Sequence, residues 1–364
     1  MTAQLEATVL DFERLGEFVA KVQGDQAAAY NAILVHLGDR LGLWRALATS
    51  ATDGVPGAAT VTQLAERSGV APRYLQEWLS AQAAHGYVSY DAASETFSLS
   101  PEAAAVLAEE ESPASLSAGF ELIAGVWAAV DKLATAYTTG EGVPWHVHDP
   151  RVFSSVARFY GTMYRSSLLT EWFPSVPGLV ESLEAGIHVL DVGCGLGVPT
   201  ILLAEAFPNS TFVGVDYHDE SIRQAKAAAV EAGVTDRVEF RASDATSYDG
   251  TYDLVLFFDA LHDLGDPVGA LAHARASLRP QGQVVAIEPY AEDTLEANLA
   301  NPIAGVFYVG SSALCVPHSI SEGGTALGAQ AGPKKLVDAF RDAGFGHAGV
   351  ATSTVYNLVI EAHA

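Results

Sequence analysis

Apolar residues follow two different spacings along this chain. In residues 1–110 they recur every three or four positions, as in the segment from 27 to 48, and this is the spacing of amphipathic helices. From Gly178 onward, short apolar runs alternate with helical segments, an order typical of parallel strands that are linked by helices. The spacing predicts an α-helical N-terminal part and an α/β domain with strands near residues 188–192, 211–215, 237–241, 252–258 and 283–288.

The end of the α/β domain departs from a purely parallel arrangement. Residues 343–364 read as two strands with a short turn between them, so these two strands must be antiparallel. A dinucleotide-binding fold would instead end on another parallel strand. Residues 291–332, before the last helix, form a polar, glycine-rich stretch, which we expect to be a functional loop because loops of this length are rarely idle.

The N-terminal part contains the outline of a winged helix-turn-helix. Thr62 is expected to cap a short helix that ends at Gly69, and Pro72 is expected to begin a longer helix that ends at His85. Two short runs within residues 87–99 predict a small hairpin, which would be the wing.

Such a unit reads DNA when its second helix carries suitable side chains into the major groove. Here that helix offers only Arg73 and also carries Glu77, while the predicted wing carries Asp91 and Glu95, which phosphates repel. We therefore expect a packing and dimerisation module rather than a DNA reader. A gel-shift experiment at low salt distinguishes the two, and we expect no retention of DNA.

Composition and charge narrow the choice of partners. The chain has 364 residues, of which 49% are hydrophobic and 17% charged, and this is enough for two domains with their own cores. Its 44 acidic residues outnumber its 19 lysines and arginines, which disfavours nucleic acids and anionic membranes as partners. Because no apolar run is long enough to span a bilayer and no signal pattern is present, we expect a soluble, cytoplasmic protein. Cys194 and Cys315 do not make a disulfide framework.

Residues 111–177 form a predicted helical bridge that is rich in aromatic side chains. Ligand pockets favour domain junctions, so we expect part of this bridge to line a substrate cavity. The candidate side chains there are Tyr160, Tyr164, His146 and His148. The two histidines are two positions apart, as in some metal sites, but two ligands are too few, and we predict no metal site.

The most informative stretch is HVLDVGCGLGVPT, residues 188–200, in which a strand ends in Asp191 and three glycines follow on alternate positions. Such a turn lets the backbone approach a ligand closely. A second apolar run ends in Asp216, where an acid typically binds the ribose hydroxyls of a nucleotide. Val198 stands where dinucleotide-binding turns carry a third glycine or alanine, and the sequence contains no Gly-Lys-Ser/Thr phosphate loop. We therefore expect an adenosine-containing ligand of another kind.

The spacing D-x-G-x-G-x-G resembles that of class I S-adenosylmethionine (SAM) methyltransferases. The resemblance covers the chain from about Gly186 to its end, and it includes the acid that ends the third strand and the fourth strand with its following aspartate. It implies SAM as the cofactor and S-adenosylhomocysteine (SAH) as its product. The residues assigned to cofactor binding are Asp191, Gly193, Cys194, Gly195, Gly197, Asp216, Tyr217, Asp244, Ala245, Phe258 and Asp259.

The same resemblance implies a Rossmann-like, mostly parallel seven-stranded sheet with an antiparallel last strand, preceded by an α-helical winged-helix domain. We accordingly divide the chain into a winged-helix dimerisation domain (1–110), a helical bridge and substrate lid (111–177) and a SAM-binding methyltransferase domain (178–364). In small-molecule methyltransferases that resemble this chain, the winged helix forms a dimer interface and covers the active site. A homodimer through the N-terminal domain is therefore expected.

The stretch ALHD after the fourth strand resembles the His-Asp-Trp stretch of the caffeate-type O-methyltransferases. This resemblance implies that His262 is the general base and that Glu288, at the end of the fifth strand, orients its imidazole. Leu264 replaces the tryptophan of that family. A second glutamate of the family has no clean counterpart, since Gln330 is nearest by position and Glu322 lies in the inserted loop.

The leading hypothesis is a SAM-dependent methyltransferase that acts on a small, aromatic or hydrophobic molecule, at oxygen rather than at nitrogen or carbon. One alternative is a ligand-responsive transcriptional regulator that uses the winged helix. Another is an enzyme of the same fold that binds SAM without methylating, and accumulation of SAH during turnover distinguishes it. The residues assigned to substrate binding are His146, His148, Tyr160, Tyr164 and Glu322.

Overall fold

The structure is a computed structural model that describes residues 10–52 and 55–363 of the chain. The chain divides into two compact units, whose boundary lies between Ala124 and Gly125. Within the described ranges, no helix combines the length and the apolar character that crossing a membrane requires. The three-part functional division at residues 110 and 177 stays a prediction.

The first unit is mostly helical. Its elements are α1 (Phe12–Arg40), α2 (Leu43–Ala48), β1 (Ala51–Thr52), β2 (Val55–Pro56), β3 (Ala58–Ala59), α3 (Val61–Ser68), α4 (Pro72–Ala84), β4 (Ser89–Asp91), β5 (Thr96–Ser98) and α5 (Pro101–Leu107), and α6 (Ser117–Trp127) runs across the boundary. Strands β3, β5 and β4 form an antiparallel sheet in that order. The core packs around Trp44 and Trp78, whose ring centroids lie 4.7 Å apart, with leucines of α2, α3 and α4 beside them.

The helix-turn-helix is formed by α3 and α4, and one prediction about it was wrong. The cap of α3 is Thr60 rather than Thr62, because Thr60 has the extended backbone that a cap requires and forms a reciprocal pair of hydrogen bonds with Gln63. Gly69 ends α3 in the left-handed conformation, and Pro72 begins α4, as predicted.

The second unit is an α/β domain. Its elements are α7 (Val130–Thr139), α8 (Pro150–Ser167), α9 (Leu179–Ala185), β6 (His188–Val192), α10 (Val198–Ala206), β7 (Thr211–Asp216), α11 (Asp219–Glu231), β8 (Val238–Ala242), β9 (Tyr252–Phe258), α12 (Pro267–Ser277), β10 (Leu278–Pro289), α13 (Leu295–Asn298), α14 (Ala304–Gly310), α15 (Val316–Ser321), α16 (Gly332–Asp342), β11 (His347–Ser353) and β12 (Asn357–His363).

Seven strands form one sheet in the order β11-β12-β10-β9-β6-β7-β8. Neighbouring strands from β10 to β8 are parallel, whereas β12 is antiparallel to both β10 and β11. The predicted fold, a mostly parallel seven-stranded sheet that closes with one antiparallel strand, is confirmed. The chain passes from β6 to β7 on one side and returns to β9 on the other, so β6 lies at the switch point where ligands bind in such sheets.

Helices cover both faces of this sheet, which is why its strands are almost continuously apolar. Leu256 and Ile287 face one side, where Leu203 of α10 belongs to the same cluster of buried side chains. Phe257 faces the other side, where Phe340 of α16 is part of a second cluster. The sheet is therefore held rigidly, and its carboxyl edge is a fixed support for side chains.

Residues 291–332, predicted as a polar loop, are largely helical. They contain α13, α14, α15 and a π-helical turn at Ser311–Cys315. The prediction was wrong because Phe307 and Leu314, seven positions apart, are both buried and anchor helical turns, although many small and polar residues surround them.

Candidate active site

A cavity of about 480 Å³ lies at the carboxyl ends of β6, β7, β8 and β9. Most residues that the sequence assigned to ligand binding line it: Tyr160, Tyr164, Gly193, Cys194, Gly195, Asp216, Tyr217, Asp244, Ala245, Phe258, Asp259 and Glu322. The other assigned residues do not line it: Asp191, Gly197, His262, Glu288, His146 and His148. The predicted strand ends therefore converge on one cavity, and the six residues just named lie outside its lining.

The glycines of the turn after β6 differ in what surrounds them. Gly193, Gly195 and Gly197 all have positive φ angles, of 75°, 51° and 77°. A Cβ atom on Gly197 would lie 2.4 Å from the ring of Phe240, so this glycine serves packing. A Cβ atom on Gly195 would meet no protein atom within 4 Å and would enter the cavity instead. Gly195 is thus the position at which the backbone is open to a ligand.

Asp191 lies directly behind the turn and is 1% exposed. One of its carboxylate oxygens, Oδ2, accepts the hydroxyl of Thr200, while Oδ1 is buried without a hydrogen-bond donor among the described residues. Burial raises the pKa of Asp191 to about 7. A buried carboxylate oxygen without a donor is costly, so a donor supplied by a ligand would stabilise it.

Asp216, at the end of β7, connects the turn to the cavity. Its Oδ2 atom accepts the Gly195 N–H at 2.9 Å, and Oδ1 accepts the His218 N–H at 2.8 Å. Burial raises the pKa of its carboxyl group. Asp244 is exposed at the end of β8, and Ala245 follows it on the cavity wall. Two acids at neighbouring strand ends, facing one space, suit the hydroxyl and amino groups of an adenosine.

Asp259 follows β9 in a strained conformation, with a φ of 49°. Its carboxylate accepts the Tyr164 hydroxyl and the side-chain N–H of Asn357, each at 2.9 Å. Burial, together with the nearby carboxylate of Glu288, raises the pKa of Asp259 well above its usual value. Asn357 was missed by the sequence analysis because it lies on the last strand, far along the chain, with no motif around it.

His262 and Glu288 meet as predicted. Nδ1 of His262 lies 2.6 Å from Oε2 of Glu288, and Glu288 also accepts the backbone N–H groups of Leu261 and His262. Contrary to the expectation of a base exposed to substrate, His262 is only 3% exposed and its Nε2 faces Asp263 at 3.1 Å. Burial opposes its charged form, but Asp263 and Glu288 outweigh it and raise the pKa of His262 well above the usual value. Asp263, which the sequence analysis did not select, is the member of this group that lines the cavity.

Cys315 lies against the same group. Ligand atoms of His262, Asp263 and Cys315 all fall within 4.8 Å of one another. Burial raises the pKa of the Cys315 thiol to about 12, so the thiol stays protonated and serves as a hydrogen-bonding group. The expectation that no metal is bound stays a prediction.

The inserted segment contributes His318 and Glu322 to the cavity wall. Glu322 accepts the Gly265 N–H at 2.9 Å, and its other oxygen lies 3.6 Å from Nε2 of His318. Its partners are therefore Gly265 and His318 rather than His262. The side-chain N–H of Gln330 donates to the carbonyl of Tyr290, so Gln330 does not stand in for the missing glutamate either. His318 was missed because its segment was interpreted as a loop.

Trp145, rather than the two histidines of its loop, enters the cavity wall. Residues 145–147 form a 3-10 turn, which directs Trp145 toward Asp263, and the indole N–H donates to that carboxylate at 3.3 Å. His146 is exposed, whereas His148 is 6% exposed and neither of its ring nitrogens has a hydrogen-bond partner among the described residues. Burial lowers the pKa of His148 to about 4. His146 and His148 were expected to line the substrate cavity, and the structure places both outside its lining.

The charge on α4 agrees with the expectation for the winged helix. Arg73 forms an ion pair with Glu77 one turn later, on the exposed face of that helix. A guanidinium engaged in this way offers little to a phosphate. Whether the protein binds DNA, and whether it forms a homodimer, stay predictions.

Two family models match this chain. Residues 183–330 match a model described as a methyltransferase domain, and residues 29–109 match one described as an Rv2258c-like winged HTH domain. The chain therefore contains a methyltransferase domain preceded by a winged helix-turn-helix domain, and the predicted class is confirmed.

Individual relatives agree with this class. A 27-O-demethylrifamycin SV methyltransferase of Amycolatopsis mediterranei is 35% identical over 106 residues, which are 28% of this chain and 38% of that protein. The match thus spans less than half of that relative. An O-methyltransferase family protein of Burkholderia thailandensis shares the fold with a TM-score of 0.67 at 17% identity, covering 98% of this chain and 99% of its own. Human N-acetylserotonin methyltransferase, solved with SAM, has a TM-score of 0.63 at 15% identity, covering 99% and 100%. The matched methyltransferase domain indicates SAM as the cofactor.

The residues in the cavity fit an adenosyl sulfonium ligand. Gly195 opens the backbone to the cavity, and Asp216 stands at the next strand end, where a ribose would be held. Asp191 does not line the cavity but lies directly behind the glycine turn, and its buried Oδ1 atom, which lacks a donor among the described residues, would suit an ammonium group. Phe258 and Ala245 supply apolar surface.

Proposed function

We propose that this protein is a SAM-dependent methyltransferase that methylates a small, aromatic or hydrophobic molecule at oxygen. The observation that supports this best is the convergence of four strand ends on one cavity, with an open glycine and two acids at the positions that a SAM-binding domain uses. The aromatic side chains Trp145, Tyr160 and Tyr164 in the same wall support a small organic acceptor.

When bound, SAM supplies an activated methyl group on a sulfonium leaving group. The protein must hold the acceptor in line with that methyl group, and such positioning contributes up to about 7–11 kcal/mol. Removal of the hydroxyl proton by a base accelerates the reaction about 10²–10⁴-fold, which lowers the barrier by about 3–5 kcal/mol. Positioning therefore outweighs proton removal in this protein.

We propose that Asp263 takes this proton and that His262 and Glu288, the predicted base and its partner, hold Asp263 in position. Only Asp263 lines the cavity, so its carboxylate accepts the hydroxyl proton, while the His262 ring, charged because Asp263 and Glu288 raise its pKa, holds that carboxylate through Nε2. Glu288 holds the imidazole from behind through Nδ1. The pair of carboxylates stabilises the imidazolium, as an acid beside a histidine does in other enzymes.

The basic test of the proposal is methyl transfer from isotopically labelled SAM to a set of small phenols. We expect a labelled product and one equivalent of SAH for each product formed. SAM binding without SAH release would contradict methylation and favour the non-methylating alternative. Failure to bind either SAM or SAH would overturn the proposed function entirely.

Two glycines of the turn form a matched pair for testing the cofactor site. Gly195→Ala should lower SAH affinity at least about tenfold, because the new Cβ enters the cavity, and should cost only about 1 kcal/mol of stability for its positive φ. Gly197→Ala carries the same backbone cost and also meets Phe240, so it should lose about 3 kcal/mol of unfolding free energy. Calorimetric titration and denaturant unfolding measure the two effects. Equal losses of stability in both variants would contradict the assignment of Gly195 to the ligand.

SAH binding should release protons below neutral pH. The free protein holds a proton on Asp191, whose pKa burial raises to about 7, and a bound ammonium group would favour the ionised form and lower that pKa. Asp216, whose pKa is also raised by burial, acts in the same direction when it accepts the ribose hydroxyls. Release should be larger at about pH 6 than at about pH 8.5, where Asp191 is already ionised. Titrations in buffers of different ionisation enthalpy measure it, and proton uptake at low pH would contradict the expectation.

A further inference from the structure

Acidic side chains outnumber basic ones in the wall of the cavity, where His218 and His318 are the titratable bases among the described residues. Six carboxylates line it: Asp216, Asp244, Asp259, Asp263, Asp266 and Glu322. Among the described residues of that wall there is no lysine and no arginine. A negatively charged ligand would therefore be repelled from this space, and a positively charged one would be attracted.

Four of these carboxylates have hydrogen-bond partners at the strand ends or cap a helix. Asp216 and Asp259 accept the hydrogen bonds described above. Asp244 accepts two hydrogen bonds from Thr246, and Asp266 caps α12. These hydrogen bonds and the helix cap explain the four carboxylates without an acceptor molecule.

Asp263 and Glu322 are different because their charges are only partly compensated. Asp263 is 8% exposed, and its Oδ1 atom receives no well-oriented hydrogen bond, although Nε2 of His262 lies 3.1 Å away. Glu322 accepts the Gly265 N–H through Oε2, while Oε1 has only the ring of His318, at 3.6 Å. A carboxylate oxygen that faces a cavity without a good donor is stabilised by a cation placed there.

The neighbouring histidines do not cancel these two charges. A positive charge on His262 is shared with Glu288, which lies 2.6 Å from Nδ1 and is fully buried. Burial lowers the pKa of His318 in spite of the nearby carboxylates, so its ring is mainly neutral near pH 7. The net charge of Asp263, Glu322, Glu288 and the two histidines taken together is therefore negative.

Aromatic rings belong to the same part of the wall. Trp145 donates its indole N–H to Asp263, and Phe153 lies 5.9 Å from Trp145 by ring centroids. Tyr217 stacks on His318, with 5.9 Å between the centroids and 9° between the planes. Carboxylates combined with electron-rich ring faces are the surroundings in which proteins bind ammonium groups.

We propose that the methyl acceptor is a cation, with a protonated or quaternary amine that is bound by Glu322 and by the aromatic rings near it, while the hydroxyl of the acceptor lies at Asp263. This inference rests on the proposed methyltransferase function and narrows its substrate class. The hydroxyl that is methylated belongs to the same molecule, and the reaction itself is unchanged. Carboxylic acids and phosphate esters are correspondingly poor acceptors.

Three phenols of nearly equal size test the inference: tyramine, which is cationic, tyrosol, which is neutral, and para-hydroxyphenylacetate, which is anionic. Each is titrated calorimetrically into protein that has first been saturated with SAH. We expect tyramine to bind about tenfold more tightly than tyrosol, since a charge-assisted contact is worth about that factor, and the anion to bind most weakly. Glu322→Gln keeps the size of the side chain and an acceptor for the Gly265 N–H, and it should reduce the ratio of tyramine to tyrosol affinity about fivefold or more.

The matched control is Glu141→Gln, which removes one exposed carboxylate of the same unit away from this cavity and should leave the ratio as in the wild type. Equal affinities for the three phenols, a preference for the anion, or no binding of any of them would overturn the inference. It would also be overturned if Glu322→Gln changed the ratio of SAM to SAH affinity instead, because the carboxylate would then serve the charge of the cofactor. The initial SAH titration separates these results from a failure of the proposed function, which would appear there first.

Discussion

Asp216→Ala is expected to abolish methyl transfer and to reduce SAH affinity by more than about 100-fold, since in the proposed cofactor site two charge-assisted contacts to a ribose would be lost together. The same carboxylate accepts the Gly195 N–H and the His218 N–H, so its removal also loosens the turn that a ligand would approach. Calorimetry with SAH and labelled transfer from SAM measure the two losses.

Asp219→Ala is the matched control for that variant. Asp219 is an exposed aspartate in the first turn of α11, three residues farther along the chain, and its loss removes the same charge. We expect SAH affinity within about twofold of the wild type, because exposed charges contribute little. Retention of full SAH affinity by Asp216→Ala, with the fold intact, would remove the basis for placing a ribose at β7.

His262→Ala is expected to slow methyl transfer by about 10²–10⁴-fold while leaving SAH affinity nearly unchanged, since proton removal is lost but the cofactor cradle is not. The same substitution leaves Glu288 buried without its histidine, so some loss of stability is expected as well. Single-turnover rates at saturating SAM, together with denaturant unfolding, separate the two effects.

His262→Gln and His347→Ala complete this comparison. Glutamine preserves hydrogen bonding toward Glu288 but brings no positive charge to the Asp263 carboxylate, so His262→Gln should recover stability without recovering the rate. His347, an exposed residue of β11, should tolerate alanine with no change in rate. A wild-type rate in His262→Ala would show that the acceptor needs no base, and loss of SAH binding would show that the residue belongs to the cofactor site.

The strand ends were predictable because each is encoded by neighbouring residues. An apolar run followed by Asp191 and alternating glycines can only fold as a strand and a tight turn, and the same holds for the run that ends in Asp216. Parallel strands deliver their carboxyl ends to one edge, so the acids had to meet there. The antiparallel β12 was predictable for a similar reason, since a short turn leaves no room for a crossover.

The surroundings of those residues were not predictable, because they depend on contacts between distant segments. Asn357 reaches Asp259 across 98 positions of sequence, and Trp145 reaches Asp263 across 118. The helical inserted segment, interpreted as a loop, places His318 and Glu322 in the wall. No local pattern marks such pairs.

The order of the strands in the chain and the identity of the residues at their ends were therefore determined by the sequence itself, since both follow from spacing along single segments. The class of protein came from the resemblance of those segments to class I SAM methyltransferases. Only the tertiary structure decided that Asp263 rather than His262 faces the cavity, and that His146 and His148 stay outside it. The reason is physical: which side chain lines a cavity depends on the direction of each Cα–Cβ bond and on what packs behind it, and both are set by segments brought together only on folding.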